Sequence, residues 1–362
     1  MYLYLLYLIS PVLIAPIINV IKGRKQNLLK NNSFLYLVIM TLLMCFFLGF
    51  RSQYIGSGDA VYYYSQWESI SKITNFRDIF SYDMEYGYLV FVYLFSRLFK
   101  SGQYVFVFSG IGISLLTSFF IKNFCKKDYS YAFLIINSLG LFAFFLQGIR
   151  QSIAIALCLA SLVFCKKKKV LPFILVIFFA TSFHASAIVF VLSYFLFGRK
   201  LNFKFLSFFF LIAIISIVTF DRLMDFANLI INDDYNFGNT EQTTGGIVTL
   251  VIYLTVVLIC FVFKLSENDE EFIDFSFYFY MTLIGILLFI LRYFASTIIE
   301  RMSFYYIFGI IPLLESVIYS DKRINRNDRK ILYVFTLILF FSFAVYKGLT
   351  GDSFIPFKFF WE

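Results

Sequence analysis

Tyr86-Gly-Tyr-Leu-Val-Phe-Val-Tyr-Leu-Phe-Ser-Arg-Leu98 is the run whose reading decides the fold. It is apolar, but at about 13 residues it falls short of the roughly 20 that a spanning helix needs. If it crossed a membrane, every later basic cluster would change sides. Read instead as a re-entrant or interfacial helix, it leaves those clusters together on one face.

The surrounding composition is that of a membrane protein. Of 362 residues, 60% are hydrophobic, 22% aromatic and only 15% charged. A soluble chain would carry nearer a quarter charged residues. The net charge of +9 raises the question of nucleic acid. Its distribution argues against that, because the basic residues lie in short clusters between apolar runs, and no nucleic-acid partner is expected. The first run, from Met1-Tyr2-Leu3, lacks a basic leader and a small-residue cleavage site and reads as a retained helix. Cys45, Cys125, Cys158, Cys165 and Cys260 show no ligand spacing and read as small apolar packing residues.

Candidate spans are 2–20, 33–50, 103–121, 129–147, 150–165, 169–183, 185–198, 205–220, 246–264, 272–292, 302–319 and 331–346. The expected fold is therefore all-α and polytopic, a single membrane domain over 1–362. It has about twelve transmembrane helices plus interfacial or re-entrant ones. Alternate connections carry Lys22 to Lys30, Lys122 to Lys127, Lys166 to Lys169, Arg199 to Lys204, Lys264, and Lys322 to Lys330. Together they hold 20 of the 31 basic residues, which assigns that side to the cytoplasm and both termini to the exterior.

The outer side then gathers polar residues that do not look like anchors. An outer loop, 51–102, contains Arg51, Asp59, Glu68, Asp83 and Glu85. Arg150, Gln151 and His184 sit at outer helix ends, a second outer loop covers 221–245, and Arg292, Glu300 and Arg301 flank a further hairpin. Within the first loop, Val61, Tyr64, Trp67, Ile70 and Ile73 recur three apart, opposite Ser65, Gln66, Ser69 and Lys72. That pattern fits an amphipathic helix in the headgroup plane, and equally a loop helix packed on the bundle.

Arginine in apolar surroundings is costly, and its fork fits phosphate oxygens. Arg51, Arg150, Arg292 and Arg301 are thus candidate anion ligands, with headgroup anchoring as the plainer alternative. Asp59 follows two glycines and can project a carboxylate, or cap the helix it opens. Glu85 begins the short helix and can be a site residue or an N-terminal charge. His184 is the only histidine, titrates near neutrality when unperturbed, and has no His or Cys partner for zinc. Tyr62, Tyr63, Tyr64 and Trp67 could stack on sugar faces. No phosphate-binding loop or dinucleotide fingerprint is present, so no cofactor is expected; a divalent metal on Asp59 with Glu85 or Asp83 has nothing further in its favour.

Taken in order, Phe50-Arg51, Gly58-Asp59, Glu85-x-Gly87-Tyr88, Arg150-Gln151 with Ala154 and Ala156, Ser182-Phe-His184-x-Ser-Ala187 and the tail Asp352-Ser-Phe-Ile-Pro356-Phe-Lys-Phe resemble the EpsG family of bacterial polysaccharide polymerases. The resemblance covers nearly the whole chain and is weakest over 205–271. It implies a Wzy-type layout similar to type C glycosyltransferases. It also implies polymerisation of O-antigen, capsule or exopolysaccharide repeat units carried on undecaprenyl diphosphate, and a chain-length regulator as partner protein. Asp59 or His184 would then be the base, and the arginines would stabilise the leaving diphosphate. The principal alternative is a flippase for the same lipid-linked unit; an O-acyltransferase or a glycan ligase follow.

Overall fold

The computed structural model describes residues 2–23, 30–56, 58–125, 127–202, 204–207, 211, 215, 219, 246–263, 271–293, 297–319, 325–350 and 354–362. Every regular element among them is helical, and the one extended contact is an isolated antiparallel bridge between Arg51 and Phe359. Six helices are long and apolar enough to cross a membrane: Tyr2–Ile21 (α1), Gln103–Phe124, Ile149–Lys166, Phe272–Leu291, Ile299–Ile318 and Asn327–Thr350. A seventh is added if the bent pair Tyr129–Ser138 and Leu141–Gln147 is one span. The chain is therefore a polytopic α-helical membrane protein.

The described residues divide into two compact units, Met1–Val191 with Lys330–Glu362, and Leu192–Arg329. The span expected over 205–220 and the loop 221–245 lie largely or wholly outside the described residues.

In the first unit, α1 is followed by Phe34–Gly49 (α2), Gly58–Ser71 (α3), Tyr86–Leu98 (α4) and Gln103–Phe124 (α5). Tyr129–Ser138 (α6), Leu141–Gln147 (α7), Ile149–Lys166 (α8) and Val170–Thr181 (α9) come next. The span expected over 129–147 is bent by 60° between α6 and α7, where Gly140 adopts a left-handed φ of 77°. The span expected over 185–198 begins as a 3-10 turn, Ala185–Val191, and becomes α-helical only at Leu192.

Small residues let α2 and α5 run antiparallel in close contact. Thr41 and Ser118 share a hydroxyl hydrogen bond of 2.6 Å, and a Cβ on Gly110 would stand 3.0 Å from the Gly49 nitrogen. Such close approach is how helices gain packing where lipid competes with every apolar contact. At the far end of this pair, Gln103 Nε2 donates to the carbonyls of Gly49 (2.7 Å) and Arg51 (3.0 Å). The excursion from 50 to 102 thus leaves and returns at the same end of the α2–α5 pair. The thirteen-residue α4 lies wholly inside that excursion.

Proline chemistry is repaired locally. Pro11, inside α1, offers no N–H to the Tyr7 carbonyl, so Ser10 Oγ (2.7 Å) and Asn137 Nδ2 (3.2 Å) donate to it instead. At the opposite end of the α2–α5 pair a buried carboxylate ties the α1–α2 and α5–α6 connections to the helix that carries Tyr333. Asp128, 1% exposed, accepts from the backbone N–H of Asn31 (3.1 Å), Ser130 (3.1 Å) and Tyr131 (3.3 Å). It also accepts from the hydroxyls of Ser130 (2.5 Å) and Tyr333 (3.4 Å).

Candidate active site

Glu85 sits at the N-cap of α4 without making a cap hydrogen bond. Its carboxylate reaches elsewhere. Oε2 accepts from Arg150 Nη1 at 2.5 Å across 65 residues of sequence, and Oε1 accepts from the Ala185 N–H at 3.1 Å. Both side chains are about one-fifth exposed, at 18% for Arg150 and 20% for Glu85. The reading of Glu85 as only an N-terminal charge therefore gives way to a bridging role.

Glycine makes this approach feasible. A Cβ on Gly87 would lie 2.2 Å from Ser182 Oγ and 2.6 Å from the Ser182 carbonyl. With the bare backbone, the Tyr88 N–H donates to that carbonyl at 3.3 Å, docking the start of α4 on the 182–185 turn. His184 lies in this turn, half-buried, with Nδ1 2.6 Å from Ser186 Oγ.

Around the pair, Tyr63 and Tyr88 form an edge-to-face contact at 5.7 Å, and the Arg150 guanidinium lies 5.9 Å over the Tyr88 ring. Tyr63 also hydrogen-bonds Arg150. Arg150 Nε is buried without a hydrogen-bond partner. Asp59 opens α3 one turn before Tyr63, on the same face, and is half-buried. Gln151 is 2% exposed beside Arg150.

Four separated segments thus meet: the start of α3, the start of α4, the start of α8, and the 182–186 turn. The loop 51–56 rests against the end of α7, just before the third of these. Gly56, at φ 96°, leaves no room for a Cβ, which would fall 2.5 Å from the Leu146 carbonyl.

Arg51 occupies a different position from the one expected of a ligand fork. It is 1% exposed, its Nη1 donates to the Ile55 carbonyl at 2.6 Å, and its guanidinium lies 4.5 Å over Phe106. Burial without a carboxylate partner pushes its pKa down to about 9, partly offset by Tyr63. The C-terminal tail fastens the same loop: Ser52 N–H donates to the Lys358 carbonyl (2.9 Å) and Phe360 N–H to the Phe50 carbonyl (3.0 Å).

The aromatic reading also shifts. The buried face of α3 carries Ala60, Tyr63, Gln66, Trp67 and Ile70, while Val61 and Tyr62 are exposed. The helix packs on α4, with Tyr64 and Trp67 closing over Gly102, so Tyr63 and Trp67 are interior rings. A spacing of three drifts around a helix of 3.6 residues per turn; the buried set follows 3-4 spacing instead.

In the second unit, Arg292 is 8% exposed and pairs with Glu300 at 2.5 Å, so its charge is met by an acid on the following helix. Arg301 is exposed. No group of three or more His, Cys, Asp or Glu side chains among the described residues is placed to hold a metal.

Fold and site together define a polytopic membrane protein with one tight polar cluster assembled from distant segments. The EpsG family model matches residues 34–359, and the chain belongs to that family of Wzy-like polysaccharide polymerases. No curated protein and no solved structure matches it.

Proposed function

We propose that this protein lengthens a bacterial surface polysaccharide by joining repeat units carried on undecaprenyl diphosphate, at the outer face of the cytoplasmic membrane. The observation that carries the reading is the convergence of the family's motif segments on Arg150 and Glu85. In this reading Arg150 neutralises the diphosphate as it leaves, exchanging part of its bond to Glu85 for phosphate oxygens and using its unpartnered Nε. Asp59 takes the proton from the attacking sugar hydroxyl, with His184 as the competing base. Arg51 sets the loop that carries Asp59 rather than touching phosphate. The fold has about twelve spans, with 51–102 as the outer loop and the basic clusters inside.

The test is extension of purified lipid-linked repeat units by wild type, Asp59→Asn and His184→Gln across a pH series. Polymer formation with a defect of about 10²-fold or more in Asp59→Asn supports the assignment. Near-normal turnover in Asp59→Asn, with the basic limb lost in His184→Gln, would make His184 the base. Absence of any polymer, with transport of single units across vesicles, would favour a flippase.

A further inference from the structure

With Tyr63 and Trp67 buried, the surface rings lie one loop further on. Phe80 (39% exposed) and Tyr86 (64%) line an open pocket of about 380 Å³ formed by residues 80–86, and Phe76 (43%) stands against Phe80. Their rings meet at right angles, Phe76 with Phe80 at 5.4 Å and Phe80 with Tyr86 at 5.2 Å, making a corner with one floor and one wall. Tyr93 backs Phe76 at 5.3 Å, and the Arg97 guanidinium lies 4.5 Å over Tyr93. Arg97 also donates to the Ile73 carbonyl. Below the rings, Ile79 is fully buried, and Asn75 caps the 3-10 turn Phe76–Ser81 through the Arg77 N–H. The corner is therefore built before any ligand arrives, which lowers the ordering cost of binding.

We propose that this corner is the subsite for a neutral or amino sugar of the acceptor repeat unit. Aromatic faces offer apolar contact to the C–H face of a pyranose, and the carboxyl oxygens of Asp83 and Glu85 lining the same pocket accept from its hydroxyls. Asp83 also selects, since Glu85 shares its charge with Arg150: a uronate beside Asp83 would meet like charge, whereas an amino sugar would not. A lipid tail is the disfavoured occupant, because Arg77, Asp78 and Asp83 are exposed on the same stretch. Glu85 links the subsite to Arg150, so a sugar held here lies beside the reacting centre. This inference rests on the polymerase reading for its place in the reaction, but not for the binding itself.

The experiment uses full-length protein in phospholipid nanodiscs. The probe is the oligosaccharide released by mild acid from the host's own lipid-linked repeat units, read by saturation-transfer NMR. Binding is expected with wild type, weakened at least about tenfold in Phe80→Ala and in Tyr86→Ala, and weakened in Asp83→Asn. Equal affinity in wild type and all three variants, or no binding to wild type, overturns the subsite. Brominated phospholipids that quench Tyr86→Trp more than wild type would show that lipid covers the corner, and also overturn it. Chain extension by wild type is scored separately. Polymer with unaltered binding in the variants sinks the subsite alone; variant-sensitive binding without polymer sinks the polymerase reading alone.

Discussion

Asp128 and Glu85 are both carboxylates that draw distant segments together, and they are satisfied in opposite ways. Asp128 is 1% exposed and accepts from three backbone N–H groups and two hydroxyls. Glu85 is one-fifth exposed, takes one N–H and one guanidinium, and lines a pocket. An acid buried under five donors has no opening at which to exchange one of them with a ligand. An acid that shares a cation at an opening can hand that cation over. The first arrangement is a fastening; the second is the one that the proposed function puts to work.

The largest expected effect tests that contrast from the Glu85 side. Arg150→Ala should cut polymer formation by about 10²–10³-fold while the protein still inserts and stays folded. Arg150→Lys should rescue poorly, since an ammonium lacks the fork. Wild-type chain lengths in Arg150→Ala, measured on lipid-linked substrate, would reduce the pair to a second fastening.

From the other side, Asp128→Ala leaves three backbone N–H groups and the Tyr333 hydroxyl without their acceptor. A lost helix cap and orphaned buried donors together should cost about 2–3 kcal/mol of stability. Thermal unfolding in detergent should show the loss, with activity per folded molecule near wild type. A variant that melts normally yet fails to polymerise would place Asp128 in the chemistry and undo the comparison.

The sequence carried the helices and the segments that meet, but not the way they meet. Hydropathy set α1, α5, α8 and the 272–291 helix to within a few residues, because each is long and apolar. Glu85, Arg150, Asp59 and His184 stood out because charge at the end of an apolar helix is costly and so needs a reason. Their pairing is tertiary, across 65 residues for Glu85 and Arg150. Arg51 looked like an exposed fork because nothing in Phe50-Arg-Ser-Gln-Tyr-Ile55 shows that the C-terminal tail will cover it. Asp128 drew no reading from the sequence, because its ties to Asn31 and Tyr333 are made only in the packed structure. The face of α3 was misplaced because Val61 and Tyr64 fit a spacing of three, while burial follows the packing against α4.

A smaller effect tests how the working site is docked. Gly87→Ala places a methyl 2.2 Å from Ser182 Oγ, so α4 or the 182–185 turn must shift. Overpacking of this kind should cost about 1–3 kcal/mol, and the shift should lengthen the Glu85 to Ala185 bond. Hydrogen exchange at the Ala185 amide is the direct readout, with faster exchange expected. Unchanged exchange would mean that the contact does not hold the turn.

The smallest effect falls on His184. Ser186 Oγ lies 2.6 Å from Nδ1, and that bond orients the ring and selects which nitrogen carries the proton. If the hydroxyl donates, Nδ1 is the acceptor and Nε2 carries the proton, a donor suited to a phosphate or sugar oxygen. If the ring donates, Nε2 carries the lone pair that would take a proton. Removing the hydroxyl in Ser186→Ala loses one hydrogen bond of about 1 kcal/mol, a change of roughly fivefold at most. Under the assignment of Asp59 as base, Ser186→Ala should weaken substrate binding within that limit and leave the basic limb of the pH–rate profile in place. A displaced limb with KM unaltered would show that the ring nitrogen handles the proton, and Glu85 and Arg150 would then serve His184 rather than Asp59.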